Sequence, residues 1–175
     1  MSAAPKAVEL SCHLVSIFAR EHASLARCLL TARDLMPEHY KTKRRVEFRD
    51  TDAAGMVHFS VFFVYMEQAE HELLRHLGLS VHASDAEGVI SFPRVAARCD
   101  YQRAAHFEDE LEIEVAIVRL GKKSVTYEFN FTHEGRPVAS GQTTTVCCRF
   151  AEDGQPRSIL IPDLIAQKLS RAVVP

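Results

Sequence analysis

"SVFFVYMEQAEHELLRHLG", residues 60–78, is the stretch of the sequence that decides the fold. Its first half is apolar on every side, whereas its second half restricts the apolar residues to one helical face. Ser60 is a candidate N-cap, and Gly78 stands where a left-handed residue commonly ends a helix. The sequence therefore predicts one long helix that is buried on more than one side near its beginning.

Five strand-like runs accompany this helix. The first covers residues 41–50, before the helix. The other four follow the helix without another helix between them, at about residues 89–101, 109–119, 123–133 and 137–150. The connections "RLGKKS" and "HEGRP" have hairpin lengths, so the sheet should be mainly antiparallel. Because an apolar helix must be covered on several sides, we predict an α+β fold: a curved antiparallel five-stranded sheet wrapped around one long central helix. A short terminal helix is predicted for "PDLIAQKLSRAV".

The first 40 residues differ from the rest, because all seven glycines fall between Gly55 and Gly154. We therefore divide the chain into an N-terminal extension, residues 1–40, and a single domain, residues 41–175. Three interpretations of the extension remain open. It forms an amphipathic helix over residues 10–29, it is an organelle-targeting peptide, or translation starts at Met36.

The composition narrows the classes of function. A net charge of -2 gives no field that would attract nucleic acid, and no uncharged apolar run approaches the roughly 18 residues of a membrane span. Among the five cysteines, Cys147 and Cys148 are adjacent in a strand-like run and point to opposite faces, and none of the five shows zinc spacing. We predict a cytoplasmic protein with reduced thiols, no metal, no cofactor, and no nucleic-acid or membrane partner.

Chemically active residue types are concentrated just before the helix, in "RDTDAAGMVHFS", residues 49–60. Asp50 and Asp52 share the strand parity of Val46, so parity alone does not choose between them. An aspartate before a turn commonly caps that turn, but beside the unpaired amides of a helix start it can also act as a base or nucleophile. Gly55 suits a sharp turn of the backbone close to a ligand.

These motifs resemble the hot-dog-fold acyl-CoA thioesterases of the 4-hydroxybenzoyl-CoA thioesterase type. The match is a strand, then "DTDAAGMVHF", then a helix with "YMEQAEHELLRHLGL", followed by "YQRAAHFEDELEIEV" and "LGKKSVTYEFNF", over about residues 43–150. Within this family, "DTDAAG" followed by "HF" is most similar to the branch that acts on 1,4-dihydroxy-2-naphthoyl-CoA. The resemblance implies a thioesterase that hydrolyses a small acyl or aromatic acyl-CoA to the free acid and CoA.

The resemblance also implies the site residues. Asp52 takes the position of the catalytic aspartate, as nucleophile or general base. The backbone amide of Phe59, or of its immediate neighbours, takes the position of the oxyanion donor, with Gly55 and His58 in the same pocket. The chain departs from the family twice, because many relatives have a histidine at the position of Phe59 and some have a tyrosine at that of Phe48.

Coenzyme A carries phosphates, and the resemblance implies that Lys122, Lys123 and Ser124 of "GKKS" bind its nucleotide end. An ordinary charged turn is the alternative for this hairpin. Relatives pair two subunits and build each site at their interface, which implies a homodimer or homotetramer. The alternative to an enzyme is a non-catalytic acyl-CoA-binding or regulatory hot-dog protein.

Three helical carboxylates, Glu67, Glu70 and Glu72, offer a different interpretation, because another hot-dog branch has its catalytic carboxylate on the central helix. The helical spacing also pairs Glu67 with His71, and Glu72 with His76, on a solvated face. We favour this second interpretation and expect no catalytic role for the three residues.

Overall fold

The structure, a computed structural model, describes residues 39–151 and 154–174. The interpretations of the N-terminal extension lie outside the described residues. In chain order the strands are β1 (Tyr40–Arg45), β2 (Ala83–Asp85), β3 (Gly88–Ser91), β4 (Arg94–Tyr101), β5 (Glu110–Leu120), β6 (Ser124–His133), β7 (Arg136–Val146), β8 (Cys148–Phe150) and β9 (Pro156–Ser158), and the helices are α1 (Val61–His76) and α2 (Asp163–Leu169).

The larger sheet has five antiparallel strands in the order β1-β5-β6-β7-β4. The predicted α+β class, with an antiparallel sheet and one long helix, is confirmed. The hairpin lengths of the β5–β6 and β6–β7 connections explain why consecutive strands pair as neighbours. β1 and β4 form the two edges, so the long helix follows one edge strand in the chain and precedes the other.

A second sheet, with four short strands in the order β2-β3-β8-β9, was not predicted. Its formation divides two of the predicted strands, since residues 89–101 contain both β3 and β4, and residues 137–150 contain both β7 and β8. Pro93 lies at the first division, where it removes a backbone donor from the ladder. The Arg149 guanidinium donates to both carboxylate oxygens of Asp85, at 2.7 and 2.8 Å, and so ties the sheet together across 64 residues of sequence.

The first predicted strand is shorter than expected. β1 ends at Arg45, and Phe48–Asp50 forms a 3₁₀ turn instead of continuing the strand. Val46 is fully buried, whereas Phe48 is 77% exposed. A reciprocal capping box between Glu47 and Asp50 stabilises the turn, and this local hydrogen bonding competes successfully with extension of the ladder.

α1 packs one face against the five-stranded sheet, but the predicted burial on more than one side near its beginning is not seen in the described chain, where Val64 is 49% exposed. Phe62, Tyr65, Met66, Ala69 and Leu73 are all at most 4% exposed, and they belong to one core with the inward residues of β5, β6 and β7. The helix approaches β7 so closely that a Cβ at Gly141 would overlap the sulfur of Met66. Burial of this face, rather than helix propensity, supplies most of the helix stability.

The ends of α1 agree with the prediction only in part. Gly78 has a φ of 67° and ends the helix in the predicted left-handed conformation, with the Leu79 amide donating to the carbonyl of Leu74 at 2.8 Å. Ser60 is the N-cap residue, but its side chain makes no capping hydrogen bond. None of the helices in the described ranges is long and apolar enough to cross a bilayer.

Candidate active site

The two aspartates of "DTD" have different surroundings, because the backbone turns between them. Asp50 Oδ2 accepts hydrogen bonds from the Tyr65 hydroxyl at 2.7 Å and from the Glu47 amide at 3.0 Å. The Asp50 carbonyl accepts from the amide of His58 at 2.9 Å. Burial raises the pKa of Tyr65, and the acceptor Asp50 raises it further, so the hydroxyl stays a donor. Asp50 is therefore occupied in holding the loop to α1.

Asp52 forms a turn of its own. Its Oδ1 accepts from the amides of Ala54 at 2.8 Å and Met56 at 3.4 Å, and its backbone amide donates to the Met56 carbonyl at 2.8 Å. Gly55 has a φ of 75°, the left-handed conformation that this turn requires, and open space lies where its Cβ would be. Within residues 39–151 and 154–174, no hydrogen bond engages Asp52 Oδ2. The turn thus fixes one carboxylate oxygen and leaves the other available.

An open cleft of about 380 Å³ lies beside this turn. Asp52 and Phe59 line the same cleft, so the structure brings the predicted acid and the predicted start of the helix together. Its other lining residues include Phe62, Tyr101 and Arg103. The cleft is mainly apolar around one carboxylate, an arrangement that suits a reaction at a carbonyl group attached to an apolar substituent.

The helix mouth offers a backbone donor to this cleft. The amides of His58 and Val61 donate to carbonyls of the same loop, but the amide of Phe59 has no acceptor among the described residues. Phe59 as a whole residue is 61% exposed and lines the cleft. An unpaired amide at the positive end of a helix can stabilise an oxyanion.

His58 lies next to the cleft but does not line it. Its Nδ1 is 2.7 Å from the Ser60 hydroxyl, and its ring is 4.4 Å from that of Phe59, measured between centroids. This contact explains why Ser60 does not cap α1 with its side chain. The arrangement favours a role for His58 in shaping the turn into the helix.

The "GKKS" hairpin is far from the cleft within one chain. β5 begins beside the Asp52 turn, where the amide of Val46 donates to the carbonyl of Asp109, and it ends at the hairpin. At roughly 3.3 Å per residue, the strand separates the two by ~30 Å. Lys123 Nζ donates to the carbonyl and hydroxyl of Ser158, at 3.3 and 3.4 Å, whereas the Lys122 side chain is exposed and has no partner in the described chain.

Tyr101 and Arg103 are among the lining residues that were not predicted from the sequence. Tyr101 ends β4 with its hydroxyl donating to the Phe59 carbonyl at 3.0 Å, and Arg103 brings a guanidinium that forms no hydrogen bond or ion pair with another described residue. Both belong to "YQRAAHFEDELEIEV", a segment that resembles the family in its pattern and contains none of the predicted site residues. Their proximity to Asp52 depends on sheet order, which the local sequence does not encode.

Glu70, to which the helical spacing gave no partner, is a buried carboxylate. This residue is 3% exposed and pairs with Arg94 of β4 at 2.9 Å, and burial raises its pKa. Glu67 also contacts Arg94, at 2.9 Å, and Glu72 contacts Arg44 at 2.6 Å. The arginines come from strands that the helical spacing could not reveal. Among the described residues, no group of three or more His, Cys, Asp or Glu side chains is arranged to hold a metal ion.

Comparisons with known proteins agree on one family. The family model described as "Thioesterase-like superfamily" matches residues 46–169. A 1,4-dihydroxy-2-naphthoyl-CoA hydrolase from Synechococcus elongatus is 33% identical over 109 residues, which are 62% of this chain and 80% of the relative. A protein of the same name from Synechococcus strain WH7803 is 30% identical over 141 residues, 77% of this chain and 90% of the relative.

A solved structure supports the same assignment. The structure of a gentisyl-coenzyme A thioesterase superposes with a TM-score of 0.64 at 32% sequence identity, covering 74% of this chain and 99% of that protein. The residues matched by the family model include the cleft, the long helix and the edge strand β4.

Proposed function

Because the chain belongs to the thioesterase-like superfamily and is a thioester hydrolase, we propose that it hydrolyses an acyl-CoA with Asp52 as the catalytic carboxylate. One observation carries the assignment. Asp52 and Phe59 line the same cleft, the carboxylate with one oxygen free of partners and the helix mouth with an amide free of acceptors in the described chain. A thioester carbonyl held between them would face the two groups that its hydrolysis needs.

The chemistry requires few additional groups. The leaving thiol of coenzyme A is comparable to cysteine, whose pKa is about 8.5, so it departs as thiolate without a dedicated general acid. The Asp52 carboxylate either attacks the carbonyl carbon or removes a proton from an attacking water, and the Phe59 amide stabilises the oxyanion that forms. His58 is not required for either route.

Substitution of Asp52 tests the assignment. Asp52→Asn keeps the size of the side chain and an oxygen for the turn, so the protein should fold while kcat falls by ~10³-fold. The exposed Asp163, in the first turn of α2, provides the matched control, and Asp163→Asn should retain wild-type kcat. Full activity of Asp52→Asn would contradict the proposal, and saturable CoA-thioester binding without thiol release would favour a binding protein.

We propose an aromatic acyl group as the preferred substrate. The relatives are named for naphthoyl-CoA and gentisyl-CoA thioesters, and the cleft here includes the side chains of Phe59 and Phe62 beside Asp52. Benzoyl-CoA and 1,4-dihydroxy-2-naphthoyl-CoA should therefore have a higher kcat/KM than butyryl-CoA or palmitoyl-CoA, measured by release of free thiol. The reverse order would exclude an aromatic preference.

The role of Asp52 as nucleophile or base can be separated by isotope labelling. A single turnover in ¹⁸O-enriched water places label in the carboxylate if an acyl-aspartyl anhydride forms and is hydrolysed at its aspartyl carbonyl, and otherwise only in the product acid. Mass spectrometry of the peptide that contains Asp52, combined with the product, distinguishes these outcomes. Label in that peptide after the single turnover supports the nucleophilic route.

We further propose a homodimer as the smallest active form, from which a tetramer can be built. β4 is an edge of the five-stranded sheet, and Val95 on it is 62% exposed, so its backbone and side chains are available to a second chain. A two-fold pairing of β4 with its copy would set Arg94 of one chain near Tyr101 of the other. Light scattering should therefore give the mass of two or four chains.

This pairing would supply the missing coenzyme A contacts. Arg94 on β4 pairs with Thr145 on β7, which in turn pairs with Val125 on β6, next to the "GKKS" hairpin. The hairpin therefore lies toward the Arg94 end of β4, whereas Tyr101 at the other end lines the Asp52 cleft. Antiparallel pairing of the two β4 strands would then bring Lys122 of one copy toward the cleft of the other. Lys122→Ala should raise KM for acyl-CoA several-fold with little change in kcat.

A further inference from the structure

The hydroxyl of Tyr101 connects the edge strand to the mouth of the long helix. It donates to the carbonyl of Phe59 at 3.0 Å, across 42 residues of sequence. Among the described residues the first helical amides donate elsewhere, with Val61 bonded to His58 and Phe63 to Ser60. The Tyr101 hydroxyl therefore satisfies a carbonyl of the cleft wall at the point where α1 begins.

The ring of Tyr101 is held by the core. It packs edge-on against Phe62, with centroids 5.4 Å apart and planes at 63°, and Phe62 packs in the same way against Phe131 at 5.3 Å and 83°. Phe62 and Phe131 are 3% and 1% exposed, so the base of this stack does not move freely. Although about half of Tyr101 is exposed, its hydroxyl has a fixed direction.

Hydrogen bonds hold the backbone on both sides of the unpaired Phe59 amide. On one side the His58 amide donates to the Asp50 carbonyl at 2.9 Å, and on the other the Phe59 carbonyl accepts from Tyr101. These fixed flanking groups leave little freedom for the Phe59 amide to change its orientation. Partial burial raises the pKa of Tyr101 to about 12, so the hydroxyl keeps its proton at any working pH.

We propose that Tyr101 is a positioning residue for the hydrolysis, which orients the Phe59 amide toward the oxyanion without touching the substrate's reacting atoms. The inference rests on the proposed function, because it needs the Phe59 amide to be the oxyanion donor. Preorganised donors act in the transition state more than in the ground state, so loss of the orienting bond should appear in kcat. Complete loss of one oxyanion donor typically costs a factor of about 10²–10³. If the donor is still present but free to rotate, the loss in kcat should be smaller, ~10-fold.

Tyr101→Phe is the direct test, because it removes the hydroxyl and keeps the ring that packs on Phe62. The matched control is Tyr40→Phe, since Tyr40 lies on β1 and its hydroxyl has no partner in the described chain. With benzoyl-CoA as the probe, Tyr101→Phe should lower kcat ~10-fold and change KM less than twofold. Tyr40→Phe should match the wild type in both.

The split between kcat and KM separates positioning from a merely structural role. A general loosening of the cleft would raise KM and broaden the unfolding transition, whereas loss of oxyanion positioning affects kcat alone. Equal kcat values for Tyr101→Phe and the wild type would overturn the inference, and so would a loss confined to KM. Asp52→Asn is measured in parallel. If it remains active the proposed function itself fails, and if it is inactive while Tyr101→Phe is unaffected only the positioning role fails.

Discussion

Tyr65 and Tyr101 each donate a hydrogen bond to the loop before α1, but the two bonds have different consequences. Tyr65 donates to the carboxylate of Asp50, which is held away from the cleft, and Tyr101 donates to a carbonyl of the cleft wall. The first bond is charge-assisted and partly buried, so it should contribute mainly to stability. The second is more exposed and should contribute mainly to kcat.

Tyr65→Phe should lower the free energy of unfolding by about 2 kcal/mol, the usual cost of removing a hydrogen bond to a charged group. Asp50 retains the Glu47 amide, so the loop should keep its shape. Urea unfolding followed by circular dichroism measures the difference, with Tyr40→Phe as the control that should change it by less than about 0.5 kcal/mol. Equal stability of the two variants would show that Tyr65 does not support the loop.

Arg94→Met should reveal the buried charge of Glu70. Only 4% of the Glu70 side chain is exposed, and Arg94 opposes the rise in its pKa that burial causes. Removing Arg94 leaves an unpaired buried carboxylate, which should cost about 3 kcal/mol at pH 7. A carboxyl whose folded pKa is raised contributes stability that is present below its unfolded pKa and is lost as pH rises through its folded pKa.

The stability of the Arg94→Met variant should depend on pH more steeply than that of the wild type. The pKa of Glu70 is higher in the folded protein than in the unfolded chain, and it should rise further in Arg94→Met. The variant should therefore lose more stability than the wild type between pH 5 and pH 7. Adding Glu70→Gln to Arg94→Met removes the titrating group and should abolish this extra slope. An unchanged slope in the double variant would contradict the assignment to Glu70.

At the scale of elements, the packing of α1 on β7 depends on one glycine. Gly141 has an ordinary backbone conformation, but its Cβ would overlap Met66 Sδ and approach the Arg98 carbonyl to 3.3 Å. Gly141→Ala should destabilise the protein by about 1–3 kcal/mol, because a tightly packed core has no room for another methyl group. Chemical denaturation provides the measurement. The double variant with Met66→Ala and Gly141→Ala should lose less stability than the sum of the two single variants. Strictly additive losses in the free energy of unfolding would mean that the two residues do not clash.

The helices were predictable because their signals are local. The apolar pattern of residues 60–78 and the glycine after it predicted α1 and its C-terminal end. The 3₁₀ turn at Phe48–Asp50 was missed because a local capping box replaces the last part of the predicted strand. The second sheet was missed because its strands have only three or four residues and depend on an ion pair between distant positions.

The candidate site shows the same limit. Sequence reasoning found the "DTDAAG" turn and the helix that follows it, but parity could not separate Asp50 from Asp52. The separation depends on the hydrogen bond between Tyr65 and Asp50, a contact that forms only when α1 packs against the loop. Tyr101 and Arg103 reach the cleft because β4 is an edge strand beside β7. Pairwise order in a sheet is a property of the whole fold and is not encoded in a short motif.

At the scale of the whole molecule, the proposed site combines residues that are ~30 Å apart within one chain, so it requires a second copy. Mixed dimers can test this requirement. One chain carries Asp52→Asn and the other carries Lys122→Ala with Lys123→Ala. If each site takes its aspartate from one chain and its hairpin from the other, the mixed dimer has one site with a native Asp52 and a native hairpin. If each site takes both from the same chain, the mixed dimer has no such site.

The expected result of mixing is therefore specific. Each variant alone should have either a very low kcat or a raised KM for benzoyl-CoA. Equal amounts that are unfolded and refolded together should form mixed dimers in about half of the molecules, each with one native site of two, and so about a quarter of the wild-type rate at wild-type KM. Refolding the variants separately before mixing is the control, because each dimer formed in that way contains only one variant. Recovery of activity only at the raised KM would show that each cleft uses its own hairpin, and the antiparallel pairing of β4 would then be wrong.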